Sequence, residues 1–140
     1  MVYKELPPTA NHIYIRGSIL KAPARAYAEN FAKFVAQNYL AEISEMNQSG
    51  IFCLVLRFFF PTVVNDTWMN PKVPPSKRAK TRYKRFDLTN RIKFLEDCVR
   101  DALDIDDSQT FIAHQEKFQD AENPRVEIEV FEVDPAKFGI

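Results

Sequence analysis

The chain has 140 residues, 46 % of them apolar, with twelve phenylalanines and only three glycines. That is enough apolar side chain for one packed core, and too little glycine for the loops that cradle nucleotide phosphates or dinucleotides. Nineteen basic and nineteen acidic residues cancel formally, yet Thr67 to Phe86 holds Lys72, Lys77, Arg78, Lys80, Arg82, Lys84 and Arg85 and no acid, so the rest of the chain is acidic by the same amount. Segregated charge of this kind speaks to partners rather than to fold. Cys53 and Cys98 are the two cysteines, too few for a disulfide framework or a cysteine-based zinc site, and each sits in an apolar pattern that predicts a buried small hydrophobe. No long uncharged apolar run occurs and the start lacks a signal-peptide pattern, so a cytoplasmic chain without a membrane span is expected.

Residues 11–19 (NHIYIRGSI) alternate apolar and polar positions and predict a first strand, entered from Pro7 and Pro8, which hold the chain extended. A helix is predicted from Pro23 or Ala24 to about Ile43, because proline suits a first turn and Tyr27, Phe31, Phe34, Val35 and Asn38 recur at helical spacing. Residues 44–50 (SEMNQSG) read as a polar turn. Ile51 to Phe60 (IFCLVLRFFF) is the most apolar run, aromatic and short enough for a central strand. Arg57 within it needs a partner or a route to solvent, and a buried pair with a neighbouring glutamate is expected. Residues 61–86, with four prolines and the basic cluster, predict a long exposed loop, partly disordered when no partner is bound.

Asp87 to Leu103 is the clearest helix, with Leu88, Ile92, Leu95, Val99 and Leu103 in one stripe and Asp87 or Thr89 as its cap. A short acidic turn, Asp104 to Ser108, leads to a strand over Thr110 to Phe118. Gln119 to Asn123 then reads as a hairpin link to RVEIEVFEV, whose alternation predicts a half-buried strand. The expected fold is α+β, one domain over residues 1–140, with a small mixed sheet, two main helices and a long basic loop at about 61–86.

Two acidic clusters bracket the strong helix: Asp87 at its start, and Asp106 with Asp107 just past its end. Thr89, Lys93 and Asp97 lie four apart on one face, and Glu96 with Arg100 makes another such pair. Read structurally, Asp87 is a cap, the pairs contribute a few tenths of a kcal/mol each, and the last acids are solvated. Against this, Asp106 and Asp107 repel each other and Asp104 adds to the strain; a divalent cation relieves it, and magnesium prefers carboxylate oxygen. A basic loop beside such carboxylates can hold phosphates while the metal activates water. Lys93 can offset the negative charge that develops at the scissile phosphate. Together these groups point to phosphodiester hydrolysis. Trp68, beside Met69, is expected to pack against the domain body or a dimer mate rather than to stack on a base.

The segment KRFDLTNRIKFLEDCVRDALDIDDSQTF resembles the signature of the RusA-type Holliday junction resolvases, in which a basic stretch runs into Asp-x-Asp-Asn at a helix start. A lysine, an aspartate and a closing pair of aspartates follow in that family. The matching residues here are Asp87, Asn90, Lys93, Asp97, Asp106 and Asp107. The opening PPTANHIYIR is similar to the family's proline-proline-x-Asn start, which brings in Asn11 as an organiser of the site or of its turn. The resemblance implies a RusA-like fold with a final hairpin. It also implies a homodimeric, magnesium-dependent endonuclease, with manganese able to substitute. Such an enzyme cuts four-way DNA junctions by paired nicks in recombination and repair, and phages and prophages often carry it. It implies Asp87, Lys93 and Asp107 as catalytic residues, Asp87, Asp106 and Asp107 as metal ligands, and Thr89, Asn90, Asp97 and Asn11 in support. Lys72, Lys77, Arg78, Lys80, Arg82, Lys84 and Arg85 would contact branched DNA. The family's second catalytic aspartate is Thr89 here, and a hydroxyl is a poor magnesium ligand without charge. Two outcomes stay open: an active enzyme with a rearranged site, Asp106 partly replacing the carboxylate, or a weak or inactive junction-binding protein on the same fold.

A helix over 89–103 would be about 21 Å long, and four residues return at most about 14 Å. Either the helix bends or stops early, near Val99 or Arg100, or two chains pair with these helices antiparallel and share their sites. A dimer is expected in both cases.

Overall fold

The computed structural model describes residues 1–9, 12–15, 19–84 and 88–140, with only the backbone at 88–90. In chain order the elements are β1 (Val2–Tyr3), β2 (Tyr14–Ile15), β3 (Ile19–Leu20), α1 (Ala22–Asn38), α2 (Leu40–Ser44), β4 (Ile51–Phe60), α3 (Leu88–Leu103), β5 (Thr110–Gln119) and β6 (Arg125–Val133). The fold is a small α+β domain with a mixed sheet in the order β1-β6-β4-β5 and a separate two-stranded hairpin, β2-β3. No helix among the described residues is long and apolar enough to cross a membrane.

The central strand occupies the predicted span. Its period of two sends Phe52, Leu54, Leu56, Phe58 and Phe60 into the core beneath the helices, while Cys53, Val55, Arg57 and Phe59 alternate onto the other face. α1 contributes Ala24, Tyr27, Phe31 and Val35, and α3 contributes Phe94, Leu95, Cys98, Val99 and Leu103. The side chain of Leu88, also predicted in that stripe, lies outside the described residues. Both cysteines are free and buried, as their apolar settings predict.

Several expectations are corrected. The helix predicted to run to Ile43 is two helices. The Asn38 side-chain amide donates to the Phe34 carbonyl at 2.8 Å, and Tyr39 leaves helical geometry at φ −131° and ψ 18°. The first strand is only Tyr14–Ile15, paired with Ile19–Leu20, and the short β1 was not foreseen. Just before it, the Met1 ammonium donates to the Ile128 carbonyl at 2.7 Å.

Gln119 to Asn123 is not a hairpin link. β5 and β6 never pair with each other; they flank β4, β5 parallel to it and β6 antiparallel. A parallel neighbour requires a long crossover, which α3 supplies. The link then passes over the end of β4, where the Asp120 amide donates to the Phe60 carbonyl at 2.8 Å. Arg57 does find glutamates, Glu129 at 2.9 Å and Glu116 at 3.3 Å, but its side chain is 31 % exposed on the open face of the sheet rather than buried.

Over 61–84 the basic loop has a defined path. It doubles back on itself, with a bridge between Val64 and Tyr83 and amides of Asn65 and Lys84 donating to the carbonyls of Arg82 and Val63 at 2.9 and 2.8 Å. Prolines stiffen it, and Pro75–Lys77 forms a 3-10 turn.

Candidate functional site

α3 runs unbroken to Leu103, so the early stop near Val99 or Arg100 does not occur. Its end is a Schellman turn. Asp104 adopts φ 55°, its amide donates to the Asp101 carbonyl at 3.4 Å, and the Ile105 amide donates to the Arg100 carbonyl at 3.1 Å. Ile105 returns to the core at 8 % exposure, which turns the chain outward at Asp106. Asp106 then caps the 3-10 turn Asp107–Gln109: the Ser108 amide donates to Asp106 Oδ1 at 2.9 Å, and the Asp106 amide donates to Gln109 Oε1 at 2.8 Å. Gln109 Nε2 donates to the carbonyls of Gln48 and Gly50 at 2.7 and 2.9 Å, which staples the acidic corner to the entrance of β4. Hydrogen bonds from Ser108, with the Arg100 charge as a smaller contribution, hold the Asp106 carboxyl below its ordinary range. Part of the expected repulsion between Asp106 and Asp107 is therefore met locally, while both carboxylates stay exposed.

On the outer face of α3, a groove of about 330 Å³ opens against the β2–β3 hairpin, lined by Tyr14, Leu20, Ala28, Lys93, Asp97 and Asp101 among others. Lys93 and Asp97 share it, but they are not the expected ion pair. Asp97 is taken by Arg100 at 2.7 Å, with Glu96 as a second partner of Arg100 at 3.6 Å. Lys93 instead rests its ammonium 5.6 Å above the Tyr14 ring. The Tyr14 hydroxyl is buried without a hydrogen-bond partner among the described residues, and burial pushes its pKa upward.

Of the basic residues, Lys72, Lys77, Lys80 and Arg82 are exposed and Lys84 is partly covered. Arg78 turns inward, its Nε donating to the Val73 carbonyl at 2.8 Å. None of these six has an acidic partner within salt-bridge distance among the described residues. Arg82 sits against two rings, 5.9 Å from Trp68 and 5.4 Å from Tyr83. Asn11, Arg85 and Asp87 lie outside the described residues, as do the side chains of Thr89 and Asn90.

The loop root and the start of α3 sit together at the C-terminal end of β4. Lys84 bonds back to Val63, and Arg91 lies 5.5 Å from the Phe60 ring. Asp106 and Asp107 stand at the other end of the strand, beyond a helix about 24 Å long. Within one chain the root of the basic excursion lies at the end of β4 where α3 begins, the groove runs along α3 from Lys93 to Asp101, and the acidic corner follows the far end of that helix. Among the described residues no three acids, histidines or cysteines gather as a metal cluster. The exposed Asp106 and Asp107 carboxylates are hard oxygen donors of the type magnesium takes, though one oxygen of Asp106 is already engaged by its cap.

Residues 5–131 match the family model described as Endodeoxyribonuclease RusA. No curated protein matches the chain. The match covers most of the 140 residues, from the proline-rich entry to the last strand of the sheet, and the chain belongs to the RusA endodeoxyribonuclease family.

Proposed function

We propose that the protein is a magnesium-dependent, structure-selective DNA endonuclease that resolves four-way junctions by phosphodiester hydrolysis, acting as a cytoplasmic homodimer in recombination and repair. The observation that carries this reading is the unneutralised basic excursion rooted beside the start of α3, at the same end as Lys93, in a chain of the RusA family. The exposed lysines and Arg82 hold phosphates by charge. Lys93, with no acid partner among the described residues, is free to approach a phosphate and offset developing negative charge. Asp87, Asp106 and Asp107 would hold the ion, with manganese as a substitute. When bound, such an ion supplies positive charge at the phosphoryl oxygen and eases deprotonation of water.

Thr89 favours a second reading, a junction-binding protein that cleaves weakly or not at all. One assay separates the two. A labelled four-way junction and a plain duplex are incubated with the protein, each with and without magnesium. Metal-dependent nicking of the junction is expected, at least a hundredfold weaker in Asp107→Asn. Retardation of the junction without nicking, with strong nicking gained only in Thr89→Asp, would establish the binding protein instead.

A further inference from the structure

The basic excursion carries a feature that charge alone does not require. Trp68, Arg82 and Tyr83 meet in one cluster, the guanidinium against both rings. All three are open to solvent, with Trp68 36 % and Tyr83 55 % exposed. Beside them Met69 is 70 % exposed and held at φ 50°, a left-handed conformation that an unbranched residue adopts at a cost. The excursion thus presents a tryptophan, a tyrosine and a methionine at the surface together with a guanidinium.

Asn65 ties together the two strands of chain that carry the cluster. The Asn65 amide donates to the Arg82 carbonyl at 2.9 Å, its side chain donates to the Thr81 carbonyl at 2.8 Å, and its own carbonyl accepts from the Trp68 amide at 3.1 Å. The Val64–Tyr83 bridge and a Thr81 hydroxyl donating to the Tyr83 carbonyl at 2.9 Å complete the frame. An aromatic–cation–aromatic surface fixed in advance loses little freedom on binding. Lys72, Lys80 and Lys84 surround it in sequence without acidic partners among the described residues.

We propose that Trp68, Arg82 and Tyr83 form a stacking platform for an unstacked nucleobase, so that preference for branched or single-stranded DNA over duplex resides in this loop and not in the carboxylates. A base offers a π-face to an aromatic ring or a guanidinium, and its flanking phosphates meet the lysines. A closed duplex keeps its bases stacked on one another and offers phosphates alone. An acidic protein surface would use the lysines but has no need of the rings. This inference rests on the DNA-binding reading above, and its test separates the two.

Trp68 is the one tryptophan of the chain, so its fluorescence reports on this platform alone. The protein is titrated at low salt with a single-stranded oligonucleotide, a four-way junction and a closed-ended duplex, and complex formation is followed in parallel by anisotropy of labelled DNA. Single strand and junction should quench Trp68, and the duplex should bind without quenching. Trp68→Ala or Tyr83→Ala should weaken the first two by between about fivefold and a hundredfold. Duplex affinity should stay within twofold, and Trp68→Phe should restore most of the loss. Joint neutralisation of Lys77 and Lys80 should weaken all three DNAs alike. Complexes that form with equal or no change in Trp68 emission overturn the platform and leave DNA binding standing. No complex with any DNA at low salt overturns both.

Discussion

At Cys98, burial and then the neighbouring Asp101 and Asp97 carboxylates push the thiol up to about 12. A thiol held protonated is inert, since only the thiolate is nucleophilic. Native protein at pH 8 should therefore leave Cys98 unreacted with a thiol–disulfide reagent, whereas both cysteines should titrate in denaturant; rapid reaction of Cys98 in the native state would show that the α3 face opens. The sign of the pH effect follows. The unfolded thiol releases its proton near about 8.5 and the folded one only near about 12, so rising pH between them favours unfolding. The melting temperature should fall from pH 8 to pH 10, and less so in Cys98→Ala. Cys98 shows what single residues disclose beforehand: its place in an apolar stripe predicts burial. The pairing of Trp68 with Arg82 had no such signal, because the two belong to a segment without periodicity and meet only when Asn65 closes the loop. Lys93 was legible as a candidate by its spacing, but its seat over Tyr14 was not, since Tyr14 arrives from a hairpin of two-residue strands.

Among the elements, the end of α3 sets where the acidic corner stands. Asp104 holds the left-handed position of its Schellman turn, where aspartate is tolerated and β-branched residues are not. Asp104→Val should destabilise the protein by about 1 kcal/mol or more, and Asp104→Gly should be neutral or slightly stabilising. Urea denaturation measures both, and equal stability of the three proteins would mean the turn does not constrain the helix end. The helix span itself was plain from the stripe of Leu95, Val99 and Leu103, and β4 from its unbroken apolar run. Sheet order was not. A period of two tells which face of β6 is buried, through Val126 and Ile128, but not which strand lies beside it. A short polar link between two strands usually closes a hairpin, and here it crosses β4 instead, because β4 has two open edges and α3 delivers β5 to one of them. The split of the first helix turns on one side chain, Asn38, whose bond to the Phe34 carbonyl competes with the continuing backbone.

For the whole molecule, the unbroken span of α3 bears on how a complete site is assembled. Asp87 lies outside the described residues, but it is bonded to Leu88, where α3 begins, and Asp106 and Asp107 follow the other end. A helix of 16 residues is about 24 Å long, beyond the few ångströms over which two carboxylates share one ion. Two chains related by a two-fold axis with their α3 helices antiparallel would bring the corner of each beside the helix start of the other, and would give two equivalent centres for the two strands of a junction. The expected outcome is a shared site. Asp87→Asn and Asp107→Asn, each inactive alone, are mixed and allowed to exchange subunits, and magnesium-dependent single nicks are counted. Random pairing makes about half of the dimers mixed, each with one centre that holds both native aspartates, so about a quarter of the wild-type centres should return. No recovery after exchange, verified by mass spectrometry of the mixed dimers, would place both aspartates of a centre in one chain. Sedimentation as a monomer at micromolar concentration would remove the dimer itself. In a mixed dimer with a shared site, the second centre lacks both aspartates, so paired cuts across the junction should stay absent even as single nicks reappear, a pattern that a site built within one chain has no means to produce.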